Sequence, residues 1–358
     1  MKNKNIIIAA SGTGGHIYPG IALARELEKE GFTPVFFVGG NEASVKIIGN
    51  SGFKHITFNL SGMPGRLSFS FFIFFVKLAF SFFKALKNIL SLKPRAVVGV
   101  GGYISVPAVS AAAICAKKTF IHEQNYIPGK ANKLLNGFAH KTFISFNGSG
   151  VFFKNKKNIF YTGCPVRKEI LGVTKPDACG KLGLDRNVFT LMIFGGSLGA
   201  VKLNENSFEA VKMLAGEINM QVIHITGKKS FDGIKLKAGN MKNYLVFDYM
   251  HNIADAYAAA DMVICRAGAG AVFELMLLGK PALLIPYPYA ADNHQYYNAE
   301  EASRGGHMSF IEEKEASPQV IAGFIRRLKD GLKDKKEKSP AVFPQEIMAA
   351  EIIKSIKG

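Results

Sequence analysis

Three times in 358 residues, an apolar run of strand length ends in a glycine-rich turn that opens a helical pattern. The stretches are NIIIAASGTGGHIYPG, VFTLMIFGGSLGAVKLN and MVICRAGAGAVFE. Other short apolar runs alternate with helical segments around them. TPVFFVGG, RAVVGVGGY, KKTFIHEQN and KTFISF lie in the first half, and MQVIHITGKK, YLVFDYM and PALLIPYP in the second. Strands with intervening helices read as parallel βαβ units. The series runs twice, with TGCPVRKEILG as the junction. The sequence therefore predicts an α/β protein of two Rossmann-like, doubly wound halves. Ligands of such sheets bind beyond the carboxyl ends of the strands, so two halves imply a central cleft.

Composition narrows the class. A length of 358 residues suits two domains. An apolar content of 48% with 37 glycines suits a globular chain, not a disordered one. No uncharged apolar run reaches the ~18 residues of a transmembrane helix. The apolar run near the N-terminus, Ile6 to Ala10, is shorter than the ~7–15 residues of a signal peptide. It reads as a buried first strand, and a cytoplasmic location is expected. Cys115, Cys164, Cys179 and Cys265 are scattered and suggest neither disulfide framework nor zinc site.

The net charge of +18 is one-sided. Residues 1–162 hold 20 basic and 5 acidic side chains, and residues 163–358 hold 25 and 22. Such a basic half suits an anionic partner, whether nucleic acid, acidic lipid or a pyrophosphate-bearing substrate, unless it serves solubility alone.

The three glycine turns carry the chemistry. In the first, Gly12, Gly14 and Gly15 can turn backbone N–H groups towards an anion at a helix N-terminus. The spacing is not the GxGxxG of a dehydrogenase, and no acid ends the next strand. His16 follows directly, a base at the mouth of an anion-binding loop, although a capping histidine has the same spacing. In the second, Gly195, Gly196, Ser197 and Gly199 suit phosphates, but there is no P-loop GxxxxGK(S/T). The third sets Glu274 about a turn into its helix, where a carboxylate can accept both hydroxyls of a ribose. HEQN, residues 122–125, ends an apolar strand, and Arg167 at the junction can bridge a diphosphate. No metal-ligand spacing occurs, so no metal and no other cofactor is expected.

The motifs GTGGHIYPG, VGVGGYIS, HEQN, PVR, GGSLGA, CRAGAGAVFE and HQYYNA come in this order over essentially the whole chain. In that combination the sequence resembles the MurG family of N-acetylglucosaminyltransferases. The resemblance implies a GT-B fold and inverting transfer of GlcNAc from UDP-GlcNAc to the MurNAc 4-hydroxyl of undecaprenyl-pyrophosphoryl-MurNAc-pentapeptide (lipid I). It implies an acceptor domain of residues 1–163, joined by a C-terminal helix at 341–358, and a donor domain of residues 164–340. Ser197 and Arg167 would meet the donor phosphates and Glu274 the ribose. Ala269, Gly270, Ala271, Val272 and Phe273 would line that loop. Met250 would offer backbone groups to the uracil, and Gln295 and Asn125 would contact the sugar. Thr13, Gly14 and Gly15 would frame the pyrophosphate, with His16 as base. Glu123, grouped with His16 as catalytic, and Tyr103 would shape the acceptor side. Cys164 stands where the family's junction motif has Asn, and Val201 where Arg follows GGSLGA. A diacylglycerol transferase of the same fold, or a nucleic-acid-binding protein, is the alternative, though no nucleic-acid motif occurs.

One stretch remains. Residues 67–86 hold eight of the 29 phenylalanines. A spanning helix would put Lys77 mid-bilayer and split the parallel sheet. At 100° per residue Ser70, Lys77, Ser81, Lys84 and Asn88 form one polar stripe, and the apolar arc exceeds what packing on a sheet needs. Phe74 and Phe80, flanking Lys77 and Lys84, are expected to touch an anionic membrane surface. The protein would then be peripheral on the cytoplasmic face of the plasma membrane.

Overall fold

The computed structural model describes residues 3–12, 14–39, 42–60, 62, 69–196, 200–239, 241–331 and 342–357. Two units result. One runs to Val166 and takes back the chain from Ala341, and the other is Arg167–Pro340. The junction thus falls three residues beyond the sequence boundary of 163.

In the first unit the chain runs β1 (Asn5–Ala10), α1 (Gly14–Lys29), β2 (Thr33–Gly39), α2 (Glu42–Asn50), β3 (Lys54–Phe58) and α3 (Phe69–Leu92). It continues with β4 (Ala96–Gly99), α4 (Ser105–Ile114), β5 (Lys118–Glu123), α5 (Lys130–Leu135), β6 (Lys141–Ile144) and β7 (Ile159–Tyr161). The seven strands form one sheet in the order β3-β2-β1-β4-β5-β6-β7, and every pair is parallel. β1 shows why its sequence has no polar alternation. Ile6, Ile8 and Ala10 enter one apolar cluster and Ile7 and Ala9 another, so both faces are buried.

The second unit runs α6 (Lys175–Leu182), β8 (Phe189–Phe194), α7 (Val201–Met213), β9 (Met220–Ile225), α8 (Lys228–Ala238) and β10 (Tyr244–Phe247). Then come α9 (Ile253–Ala259), β11 (Met262–Cys265), α10 (Ala269–Leu277), β12 (Ala282–Leu284), α11 (His294–Ser303), β13 (Met308–Phe310) and α12 (Pro318–Asp330). Its six strands are ordered β10-β9-β8-β11-β12-β13, again all parallel. Local chemistry sets helix ends: Thr174 caps α6 by accepting from the Asp177 N–H, and Gly183 closes it in the left-handed conformation at φ 69°.

The last helix, α13 (Pro344–Lys357), returns to the first unit. Met348, Ala349, Ile352 and Ile353 join the cluster of Ile6 and Ile8. The Gln345 side chain accepts from Val166 N–H at 3.2 Å and donates to Val166 carbonyl at 3.1 Å, which pins the end of that unit.

α3 corrects the sequence reading. Its buried face holds Phe74, Ser81, Ala85 and Ile89, and Phe74, expected at a membrane, is 5% exposed with its ring 5.3 Å from that of Tyr103. The outer face is mostly apolar: Phe72, Phe80 and Phe83 are 67%, 73% and 65% exposed, beside Val76 and Leu90, with exposed Lys87 among them. Small Ser81 and Ala85 lie inward in a helix that packs on alanine-rich α4. The Lys84 ammonium donates to the Thr57 carbonyl at 2.7 Å and lies 5.1 Å from the Phe58 ring. No helix among the described residues is long and apolar enough to cross a membrane.

Candidate active site

In each sheet the strand order reverses once, between β1 and β4 and between β8 and β11. The turns after these strands are where ligands of open α/β sheets bind, and they carry the predicted residues.

In the first unit, Gly101 and Gly102 follow β4 with φ of 112° and 76°. A Cβ on Gly102 would lie 2.1 Å from Ser11 Oγ, and one on Gly101 would lie 2.3 Å from His16 Nδ1. The pair of glycines lets the β4 turn close on the β1 turn, and this seats His16. His16 stands in the first turn of α1, half-buried. Its Nδ1 is 3.1 Å from Gln124 Oε1. Burial lowers its pKa from the usual histidine value, against the opposing effect of that bond. The ring is therefore neutral at neutral pH, as a base must be. Gly14 packs on Tyr18, Gly15 is exposed, and Thr13 lies outside the described residues.

The HEQN segment closes β5. His122 is fully buried, its Nε2 3.0 Å from Ser145 Oγ. Burial takes its pKa down to about 3, so it stays neutral. Glu123, expected as a catalytic group, is also buried. It accepts from the N–H groups of Asn125 (2.9 Å) and Gly129 (3.0 Å) and from the side chains of Asn132 (2.8 Å) and Asn125 (3.3 Å). Burial raises its pKa and these bonds oppose the rise. Four donors fill the lone-pair directions of a carboxylate. Glu123 therefore organises the loop that carries Asn125. Tyr103 lies against Phe74 at the foot of α3.

In the second unit Arg167 grips Glu274 in a bidentate pair, Nε to Oε1 at 2.8 Å and Nη2 to Oε2 at 2.9 Å. The hydroxyl of fully buried Tyr257, on α9, donates to Glu274 Oε2 at 3.1 Å. Burial, then the neighbouring carboxylate, holds the Tyr257 phenol protonated. Glu274 is on α10, whose first turn is Ala269, Gly270, Ala271 and Val272, with Phe273 next. The leading N–H groups of a helix have no partner within it, and a Cβ on Gly268 or Gly270 would meet nothing within 4 Å, so the backbone there is approachable. Met250 is half-buried just before α9, and Gln295 Oε1 accepts from Tyr287 N–H at 3.0 Å. Ser197 lies outside the described residues. Cys164 is buried and Val201 half exposed. Among the described residues no three His, Cys, Asp or Glu side chains gather as a metal site would require.

The sequence reading missed Gln124 and Tyr257 as site residues. Gln124 was visible inside HEQN. Tyr257, in the alanine-rich run NIADAYAAAD, was visible as the one aromatic side chain of its helix.

Each Rossmann-like unit thus carries a glycine turn at its switch point, with Gly12 after β1 and Gly196 after β8 both at positive φ. The N-terminal domain of glycosyltransferase family 28 matches residues 6–144, and its C-terminal domain matches residues 190–356. The UDP-N-acetylglucosamine--N-acetylmuramyl-(pentapeptide) pyrophosphoryl-undecaprenol N-acetylglucosamine transferase of Acetivibrio thermocellus is 36% identical over 93% of this chain and 91% of its own. The protein of the same name from Caldanaerobacter subterraneus is 38% identical over 88% of each. The crystal structure of Acinetobacter baumannii MurG aligns over 98% of this chain and 99% of its own, with a TM-score of 0.75 and 24% identity. A UDP-GlcNAc 2-epimerase from Neisseria meningitidis shares the fold, with a TM-score of 0.70 and 13% identity over 98% of this chain and 100% of its own. The chain belongs to glycosyltransferase family 28, among its UDP-N-acetylglucosamine--N-acetylmuramyl-(pentapeptide) pyrophosphoryl-undecaprenol N-acetylglucosamine transferases.

Proposed function

We propose that this chain transfers N-acetylglucosamine from UDP-GlcNAc to the 4-hydroxyl of the MurNAc of pentapeptide-bearing pyrophosphoryl-undecaprenol, with inversion. The observation that carries the reading is the likeness to the named transferases over nine-tenths of the chain, joined to a neutral histidine at one switch point and a carboxylate at the other.

In this reading His16 takes the proton of the attacking hydroxyl, the step for which a neutral imidazole is suited. As the new C–O bond forms, the bond from the anomeric carbon to UDP breaks and the electron pair leaves with the diphosphate. Glu274 holds the ribose. Three of its four lone-pair directions are taken, two by Arg167 and one by Tyr257. Accepting both ribose hydroxyls therefore requires Arg167 to give up one oxygen, and its guanidinium then turns to the diphosphate. The N–H groups at the start of α10 and of the helix after GGSLGA supply further positive potential, so the chemistry uses no resident metal.

The acceptor carries a polyprenyl chain, and α3 suits its surroundings. Its outer face offers Phe72, Phe80 and Phe83, edged by Lys77 and Lys84. Aromatic rings bordered by lysines favour an anionic lipid surface. We place the enzyme as a peripheral protein on the cytoplasmic face of the membrane. Acceptor-dependent release of UDP tests the reading. UDP formed from UDP-GlcNAc only when the lipid-linked muramyl acceptor is present supports it. Consumption of UDP-GlcNAc without acceptor points to the chemistry of the epimerases that share the fold.

A further inference from the structure

The bond between His16 and Gln124 has a direction, and the surroundings of Gln124 decide it. A glutamine side chain ends in an oxygen that only accepts and an NH2 group that only donates. The Gln124 nitrogen is 2.5 Å from the Val100 carbonyl oxygen and 3.1 Å from His122 Nδ1. Turning the amide round would set two oxygens against each other at Val100, so the NH2 group faces that carbonyl. The amide oxygen therefore faces His16 Nδ1 at 3.1 Å. An acceptor there requires Nδ1 to carry the hydrogen, and a neutral ring then has its lone pair on Nε2. The same logic gives His122 a bare Nδ1, with its hydrogen on Nε2 towards Ser145 Oγ.

Access agrees with this assignment. Gln124 is 1% exposed, and a Cβ on Gly101 would fall 2.3 Å from His16 Nδ1, so that nitrogen is enclosed. No described residue bonds Nε2. A free imidazole favours the opposite tautomer, with the hydrogen on Nε2, which would leave its lone pair on the enclosed nitrogen.

We infer that Gln124 is a positioning residue that holds neutral His16 in the Nδ1–H tautomer, making Nε2 the atom that receives the acceptor hydroxyl's proton. The inference rests on the reading of His16 as the base. After transfer the imidazolium keeps Nδ1–H on Gln124 Oε1, so one bond serves the ring before and after the proton arrives. The proton then passes from Nε2 to water. His122 is the lesser partner, since the Val100 carbonyl alone fixes the amide.

Nitrogen-15 NMR of the full chain labelled at histidine, with His16 assigned by its loss in His16→Ala, reads the tautomer directly. The wild type is expected to show His16 with Nδ1 protonated and Nε2 bare, and the reverse would overturn the inference outright. Gln124→Met, close in shape but without an acceptor oxygen, is expected to shift the ring towards Nε2–H. Its kcat with UDP-GlcNAc and a lipid-linked muramyl acceptor should fall at least about tenfold, with KM for UDP-GlcNAc unchanged. The shift of tautomer is the readout that a merely structural role would not move. A folded Gln124→Met protein with the wild-type tautomer, or with the shifted tautomer and wild-type kcat, would contradict the proposal. Near-normal turnover by His16→Ala would instead remove the base reading, while the spectrum would still report what Gln124 does to the ring. If Gln124→Met does not fold, the wild-type spectrum decides.

Discussion

Arg167 and Glu274 face each other as a planar pair, guanidinium to carboxylate, through two bonds of 2.8 and 2.9 Å. Both were expected to bind the donor, one at the phosphates and one at the ribose, and they hold each other. The Glu274 side chain is 7% exposed and that of Arg167 25%. Removing one member strands a buried charge, at a cost of about 3 kcal/mol, whereas replacing both is far milder. Arg167→Met should lower the urea midpoint of the second unit, and Arg167→Met with Glu274→Gln should recover most of it. Equal loss in the single and double variants would show that the pair is not coupled.

Glu274→Ala should also weaken UDP-GlcNAc binding at least tenfold, the scale of losing charge-assisted bonds to a diol. Titration calorimetry measures it. Unchanged affinity would remove Glu274 from the donor site.

Acid should weaken both units. His122 and His224 are buried and neutral, each with a pKa held down to about 3. Above pH 6.5 neither state of the chain protonates them. Below it the unfolded chain binds protons that the folded chain refuses, so stability falls as pH drops from about 6.5 to about 3, by about 1.4 kcal/mol per pH unit for each. His224 sits between the Tyr244 hydroxyl at 2.8 Å and Asn204 Oδ1 at 3.1 Å. In His224→Gln the second unit should lose part of this acid sensitivity, as read from unfolding midpoints at pH 7 and pH 5. Identical shifts in variant and wild type would refute the assignment.

The two kinds of phenylalanine on α3 should separate in a vesicle experiment. Replacing Phe72, Phe80 and Phe83 with Ser should leave the melting temperature nearly unchanged and abolish flotation with anionic vesicles. Phe74→Ala should do the reverse, costing about 3–5 kcal/mol of stability as a core truncation. Unchanged flotation after the triple replacement would show that the outer face of α3 does not bind lipid.

How much of this could be read in advance differs by level. The parallel sheets were legible because a strand buried on both faces leaves a continuous apolar run, as Ile6 to Ala10 does. The switch-point turns were legible because glycine is needed where chain segments close in, as Gly102 does on Ser11. The orientation of α3 was not, because a helical wheel assumes that polar side chains face out. Ser81 goes inward with Phe74, while Phe72, Phe80 and Phe83 go outward. Partners were hidden too. Glu123 in HEQN groups with His16 as catalytic in the sequence, and only the fold shows Asn125, Gly129 and Asn132 converging on it.

The central claim is the proposed transfer itself, with His16 as base and Glu274 as a donor-binding residue. The direct measurement gives the purified full chain UDP-GlcNAc labelled in the sugar and a lipid-linked muramyl-pentapeptide acceptor, with a chelator present, and counts label in the lipid product. The account predicts labelled lipid from the wild type with chelator, a loss of about 100-fold or more in kcat for His16→Ala, and loss through donor affinity for Glu274→Ala. Labelled product from His16→Ala at the wild-type rate, or none from the wild type despite donor binding, would contradict it.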